Sequence, residues 1–257
     1  MIRKTTVAVM VLMLGAGAAA TATAETVRVA VAANFAGPAK ALQGDFEKLT
    51  GDKLVLSFGA TGGFYAQIKN GAPFDVLLAA DANTPAKALR EGFGVPGSSF
   101  TYAVGRLAFW SAAPGLVTDG NAVELLKGDA LKKIAVANPK LAPYGLAAHE
   151  VLAKLGLASA VASKIVEGDS IGKTYQYVAS GNAQAGFVAL SQCAQNGRFV
   201  SGSGWIVPTD LYSPIMQDAV LLKAGERNEG AKRFLEFLKT SPQADRVRQA
   251  FGYGRAE

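Results

Sequence analysis

Two short stretches carry the residues best placed to do chemistry. "VAVAANFAGPAKAL", residues 29–42, ends an apolar strand-like run in small residues and Asn34, then enters a helical pattern at once. "LVLSFGATGGFYAQI", residues 54–68, does the same with Thr61 set among glycines. A helix start carries main-chain N–H groups without intrahelical acceptors and a partial positive charge, so it can hold an oxyanion without Lys or Arg. Small residues at the turn let the main chain approach a ligand, and Asn34 or Thr61 adds a donor that never changes charge. Pro38 is tolerated only near a helix start, which keeps that start close to Asn34. Taken singly, Asn34 and Thr61 read as ordinary N-caps. Two more helix starts follow, one after Pro143, Tyr144 and Gly145 in "NPKLAPYGLAAHEVL" and one near Ser170 and Ile171 in "VEGDSIGKTYQYV". Four such starts facing one cleft would surround a small anion with neutral donors.

The elements that must position these groups alternate along the chain. Apolar runs at 27–33, 54–58, 75–79, 134–137 and 185–190 read as strands buried on both faces. Between them, Ala39, Leu42, Phe46 and Leu49 mark one helical face, as do Ala148, Leu152 and Leu155, and Phe234 with Leu238. Thr84 before Pro85 reads as a cap followed by a first-turn proline. Such alternation implies parallel sheets flanked by helices. The strand-prone stretches at 98–115 and 215–225 read as paired crossings between lobes. The expected fold is therefore α/β, with two doubly wound lobes joined by a two-stranded hinge. Residues 25–107 plus 209–257 form lobe I and 108–208 form lobe II; a single doubly wound sheet is the alternative.

The chain has 257 residues, half of them apolar and 18 % charged, so it is folded and long enough for one large domain or two modest ones. Its first 24 residues have the layout of a signal peptide: Arg3 and Lys4, an apolar stretch from Val7 to Leu14, and small residues ending at Ala22 and Ala24. Without that leader, 24 basic residues face 20 acidic ones, a surplus of +4. The basic residues are dispersed and not interleaved with aromatics, which argues against nucleic acid. Cys193 is alone, which leaves no internal disulfide and reads as a buried inert thiol; His149 is the only histidine and lacks metal-ligand spacing. Asp169 and Lys173 beside the fourth helix start read as an outward-pointing acid and a solvated lysine. An exported hydrolase is the rival class, but the sequence has neither a G-x-S-x-G elbow nor an H-E-x-x-H pair.

The stretches "VAVAANF", "LSFGATGGFYAQIKNGAPFDVLLAAD", "GRLAFWS", "NPKLAPYG" and "GNAQAGFVAL" together resemble the periplasmic molybdate-binding proteins of ABC importers, within the type II periplasmic-binding-protein fold. The resemblance covers essentially the whole mature chain. It implies a periplasmic, monomeric receptor, not an enzyme, that closes on molybdate or tungstate and delivers it to an inner-membrane ABC permease. No cofactor is implied, and molybdenum would be held only as its oxyanion. Carried over by position, the ligand-binding residues fall on Asn34, with Ala33 beside it, on Thr61, on Tyr144 and on the amide of Ile171. Many members have Ser where Asn34 and Thr61 stand. Some have an anion-binding Tyr where this chain has Ala189, and Ala where it has Tyr144, so the phenol is exchanged between two loops. A receptor for another tetrahedral oxyanion, such as sulfate, is the nearest alternative.

Overall fold

The computed structural model describes residues 24–254, so the expected signal peptide lies, apart from its last residue, outside the described residues. The elements run β1 (Thr26–Ala32), α1 (Ala36–Thr50), β2 (Lys53–Gly59), α2 (Thr61–Lys69), β3 (Val76–Leu78), α3 (Asn83–Arg90) and β4 (Phe100–Gly105). After the single residue Arg106 come β5 (Leu107–Ser111), α4 (Ala122–Lys127), β6 (Ile134–Ala137), α5 (Pro143–Lys154), α6 (Ala158–Val161), β7 (Ile165–Gly168), α7 (Ile171–Ala179), β8 (Ala185–Ala189) and α8 (Leu190–Cys193). The chain ends with a small hairpin of β9 (Ala194–Gln195) and β10 (Arg198–Phe199), then β11 (Ser203–Ile206), β12 (Ile215–Leu221), α9 (Glu229–Thr240) and α10 (Pro242–Ala250).

Two five-stranded sheets result, ordered β2-β1-β3-β12-β4 and β11-β5-β8-β6-β7. They are not wholly parallel as the alternation suggested. In the first, β12 runs antiparallel to both β3 and β4; in the second, β5 runs antiparallel to both β8 and β11. These reversed strands belong to the stretches where the chain changes sheets. A strand that enters a sheet directly from the other one has no crossover helix to return it, so it need not share the parallel direction.

Both faces of each sheet are covered. Val27, Val29 and Val31 of β1 point toward Leu42 and Phe46 of α1 and Phe234 and Leu238 of α9, all buried. Ala30, on the opposite face, packs with Phe64 and Ile68 of α2. Double coverage explains why β1 reads as a continuous apolar run rather than an alternating one. In the second sheet Phe109 and Val136 pack toward Val151 and Leu152 of α5, while Trp110 and Ala135 pack toward Val178 of α7. Ala32, Ala33 and Ala80 join the same core cluster as Tyr144 and Ile171, so the two sheets' cores meet where the helix starts meet.

Two helical details depart from the sequence pattern. Leu49 is 72 % exposed, although Phe46, one turn earlier, is buried against Phe234 and Phe237 of α9. Thr84 is not a cap: α3 begins at Asn83, and it is Asp81 whose carboxylate accepts from the Thr84 amide.

One ion pair fastens the edge of the first sheet. Asp52, fully buried, accepts from Arg233 Nε and from a terminal guanidinium nitrogen, both at 2.8 Å, and from the Glu25 amide at 2.9 Å. The Arg233 hydrogen bond, chiefly, holds its pKa below the usual aspartate value. Asp52→Asn should lower stability by about 1.5–3 kcal/mol at neutral pH, the range for hydrogen bonds to charged groups. A depressed folded pKa contributes stability that is complete above the unfolded value, about 3.9, and lost as the pH falls through the folded one. The melting-temperature gap between wild type and variant should therefore close only in that acid range, as thermal melts across pH would record.

Candidate functional site

Four helix starts converge on one small cavity, bordered by Ala33, Asn34, Thr61, Ala80, Tyr144 and Ile171. All five residues singled out from the sequence are among them. The space open to the centre of a water-sized sphere is about 10 Å³, the scale of a single compact group rather than an organic molecule. No charged side chain borders it. Asp169 and Lys173 are exposed and line a wider outer cleft of about 550 Å³.

Each border residue is placed by local chain logic. Asn34 sits in a 3₁₀ turn, Ala33–Phe35, between the end of β1 and the start of α1. Thr61 is the first residue of α2, with Ala60 as its N-cap. Neither side chain caps its helix, which removes the ordinary N-cap explanation for both. Helix α5 starts at Pro143 itself rather than after Gly145, because a proline at the first position sacrifices no helical hydrogen bond. Gly145 allows this start to lie against the end of β6: a Cβ there would come within 2.2 Å of the Ala137 carbonyl oxygen. Helix α7 begins at Ile171 with Ser170 as a true N-cap, its hydroxyl accepting from the Lys173 amide. The Gly62 amide donates to Leu141 O at 3.1 Å, so the start of α2 touches the loop leading into α5 across the cavity rim.

The hydrogen bonds reveal what these groups have left to offer. Thr61 Oγ1 accepts from the Ala80 amide at 2.9 Å, and among the described residues no acceptor takes its own hydrogen. Tyr144 Oη accepts from Gln217 Nε2 at 3.0 Å and is likewise left with its hydrogen. Burial drives the Tyr144 pKa well above the ordinary tyrosine value, so it keeps that hydrogen at any working pH. Asn34 differs from its expected role. Its Nδ2 donates to Gln217 Oε1 at 2.8 Å and to Tyr253 Oη at 3.0 Å, which commits both amide hydrogens to protein acceptors. Its Oδ1 is the only buried side-chain polar atom among the described residues without a partner. What Asn34 and Ala33 can bring to the cavity is main-chain N–H at a helix start.

Sequence reasoning missed Gln217, Tyr102 and Tyr253, which surround Asn34. Gln217 is fully buried on β12 and accepts from Tyr102 Oη at 3.1 Å besides Asn34. Tyr253 donates to Asn34 O at 2.8 Å, and Ser191 Oγ donates to the same carbonyl at 2.8 Å. A signal did exist for Gln217. It stands in phase with Ile215 and Ala219 in "IMQDAVL", a polar residue in the inward register of a strand. Ala189 is fully buried at the end of β8 and does not border the cavity.

The residues that recommend hydrolysis do not combine. Cys193 is buried with its thiol pushed up to about 12 by desolvation, and its hydrogen-bond partners among the described residues are the Ala189 and Leu190 carbonyls. His149 Nδ1 contacts the Gly145 carbonyl at 2.9 Å within its own helix. Among the described residues there is no group of three or more His, Cys, Asp or Glu placed to hold a metal ion.

The family of bacterial extracellular solute-binding proteins matches residues 27–254. The chain belongs to that family. It is 58 % identical over 228 residues to the molybdate-binding protein ModA of Azotobacter vinelandii, covering 89 % of each chain. It is 52 % identical over 227 residues to ModA of Rhodobacter capsulatus, covering 88 % of this chain and 87 % of the other. Among solved structures, the periplasmic molybdate-binding protein of A. vinelandii superposes with a TM-score of 0.85 at 42 % identity, over 90 % of this chain and 100 % of that one. The two-lobed α/β architecture of this family accounts for the two mixed sheets and for a cavity bordered by residues of both.

Proposed function

We propose that the protein is a periplasmic receptor that captures molybdate between its lobes and delivers it to an ABC importer. Tungstate, a tetrahedral dianion of closely similar size, is its second ligand. The observation that carries this reading is the cavity itself: four helix starts and two hydroxyls with unclaimed hydrogens around one small space without a charged side chain. Such a site stabilises a dianion through dipoles and hydrogen bonds. The high identity to ModA proteins over nearly the whole chain favours molybdate among the oxyanions. Ala33, Asn34 and Ile171 act through main-chain amides, Thr61 and Tyr144 through their hydroxyls. One chain builds the whole site, so a monomer suffices. Lobe I, residues 25–107 and 209–257, closes on lobe II, residues 108–208, about the crossings near Arg106 and 209–216.

Isothermal titration of the mature protein with molybdate, tungstate, sulfate and phosphate tests the reading. Molybdate and tungstate should bind tightly with one site per chain, and sulfate, being smaller, loosely. Phosphate carries a hydrogen at neutral pH at a cavity dominated by donors, where Asn34 Oδ1 is the one buried side-chain acceptor without a partner among the described residues, and an unmatched buried donor costs roughly 1–3 kcal/mol. It should therefore bind about one to two decades more weakly than molybdate. Sulfate binding more tightly than molybdate would overturn the assignment.

A further inference from the structure

Both hydroxyls at the cavity are held from behind by an N–H donor: Thr61 Oγ1 by the Ala80 main chain, Tyr144 Oη by the side chain of Gln217. A phenol hydrogen stays near the ring plane, so a donor occupying one side of the oxygen sends the hydrogen to the other. The direction in which Gln217 presents its amide follows from a chain of roles that starts at a group with no choice. The Asn34 carbonyl can only accept, and it takes hydrogen bonds from Tyr253 Oη and Ser191 Oγ. With its hydrogen spent on that side, whether on Asn34 O or on Ser191 Oγ at 3.0 Å, Tyr253 Oη receives Asn34 Nδ2. Asn34 thereby turns its second amide hydrogen to Gln217, which answers with Oε1; Tyr102 Oη, 3.1 Å from that oxygen, has a single hydrogen to divide between it and the Ala79 carbonyl at 3.0 Å. Nε2 is left facing Tyr144. Tyr253 Oη is the other oxygen near enough to compete for the Tyr144 hydrogen, and the Tyr144 hydroxyl acts to lower its pKa.

We propose that Gln217 determines specificity as a positioning residue: its amide makes the Tyr144 hydroxyl a donor only, so the site refuses oxyanions that carry a hydrogen. The proposal rests on the oxyanion reading above. Gln217 does not border the cavity and acts through Tyr144. Main-chain amides are donors by nature and Thr61 is fixed by a main-chain N–H, so the phenol is the group whose polarity a side chain sets. Without Gln217 its oxygen is free to turn and accept, and a hydrogen-bearing anion gains the acceptor it lacked.

The test is titration of molybdate and phosphate, near neutral pH, into wild type, Gln217→Met and Gln217→Leu, each also carrying Tyr144→Phe. Removing Gln217 should weaken molybdate about tenfold and leave phosphate unchanged or tighter, narrowing the ratio of the two affinities about tenfold or more. In the Tyr144→Phe background the ratio should no longer depend on residue 217. Equal weakening of both anions, or narrowing that survives without the Tyr144 hydroxyl, overturns the proposal. A wild type that binds no oxyanion overturns the receptor reading instead, before residue 217 is touched. If ligand-free melting shows that neither apolar variant folds, neutron diffraction of the wild-type molybdate complex decides. A deuteron on Tyr144 Oη directed at the anion supports the proposal, and one directed at Gln217 or Tyr253 defeats it.

Discussion

Tyr144→Phe should weaken molybdate binding by one to two decades, while ligand-free stability falls by no more than the roughly 1–3 kcal/mol of leaving Gln217 Nε2 without its acceptor. The ring is 1 % exposed and packs in the second sheet's core cluster, and phenylalanine keeps that packing. What disappears is one hydroxyl that accepts from Gln217 Nε2 and has its hydrogen available to the cavity. A hydrogen bond to a charged acceptor contributes about 1.5–3 kcal/mol, which is roughly one to two factors of ten in affinity. Because burial holds the phenol's pKa far above neutrality, wild-type affinity should also stay flat between about pH 7 and pH 9, where an ordinary tyrosine begins to approach ionisation. If Tyr144 were only a core aromatic, Phe would bind molybdate like wild type, and Tyr144→Ala would lower the ligand-free melting temperature without a separate loss of affinity. Titration and ligand-free melting of both variants separate the two roles.

The parts of this site that the sequence made legible are those written in local pattern. Asn34, Thr61 and Ile171 each stand where an apolar run ends and a helical period begins, and the structure puts each at a helix start beside the cavity. Tyr144 was less legible: the local pattern marked only a helix start nearby, and the family resemblance alone made it a ligand. Of the polar network behind the cavity only Gln217 left a mark, as a polar residue in the inward register of its strand; its contacts left none. Gln217 reaches Asn34 across 183 positions and Tyr144 across 73, and Tyr253 reaches Asn34 across 219. No periodicity encodes contacts of that separation. The side-chain role expected of Asn34 failed for the same reason, since its two hydrogens are claimed by residues that come much later in the chain. In the fold, the strands buried on both faces were visible as apolar runs, whereas the reversal of β5 and β12 depends on which sheet the chain enters next. A short apolar run carries no direction.

Gly105→Ala should abolish tight molybdate binding while leaving the lobes folded. Gly105 is the last residue of β4, one residue before the chain passes into the second sheet. A Cβ built there would lie 2.2 Å from Tyr144 Oη and 2.6 Å from Gln217 Nε2, inside the hydrogen bond that orients the phenol. Its main chain pairs with Ile215 of β12 and is in an ordinary conformation for an L-residue, so alanine brings no backbone strain of its own. The penalty therefore falls on the arrangement in which Tyr144 comes down onto Gln217, which under the proposed lobe closure is the closed one. Overpacking of this kind costs typically about 1–3 kcal/mol, and loss of the oriented Tyr144 donor adds a similar amount, so affinity should fall by two or more decades. In the open form that the proposed closure requires, Tyr144 would be drawn away on the other lobe and the methyl group would meet only the Gln217 side chain. Small-angle scattering should then show wild type becoming more compact at saturating molybdate and Gly105→Ala failing to do so at the same concentration. A variant that compacts and binds like wild type would mean that Tyr144 does not approach Gly105 in the liganded state, and that the phenol meets the anion from another direction.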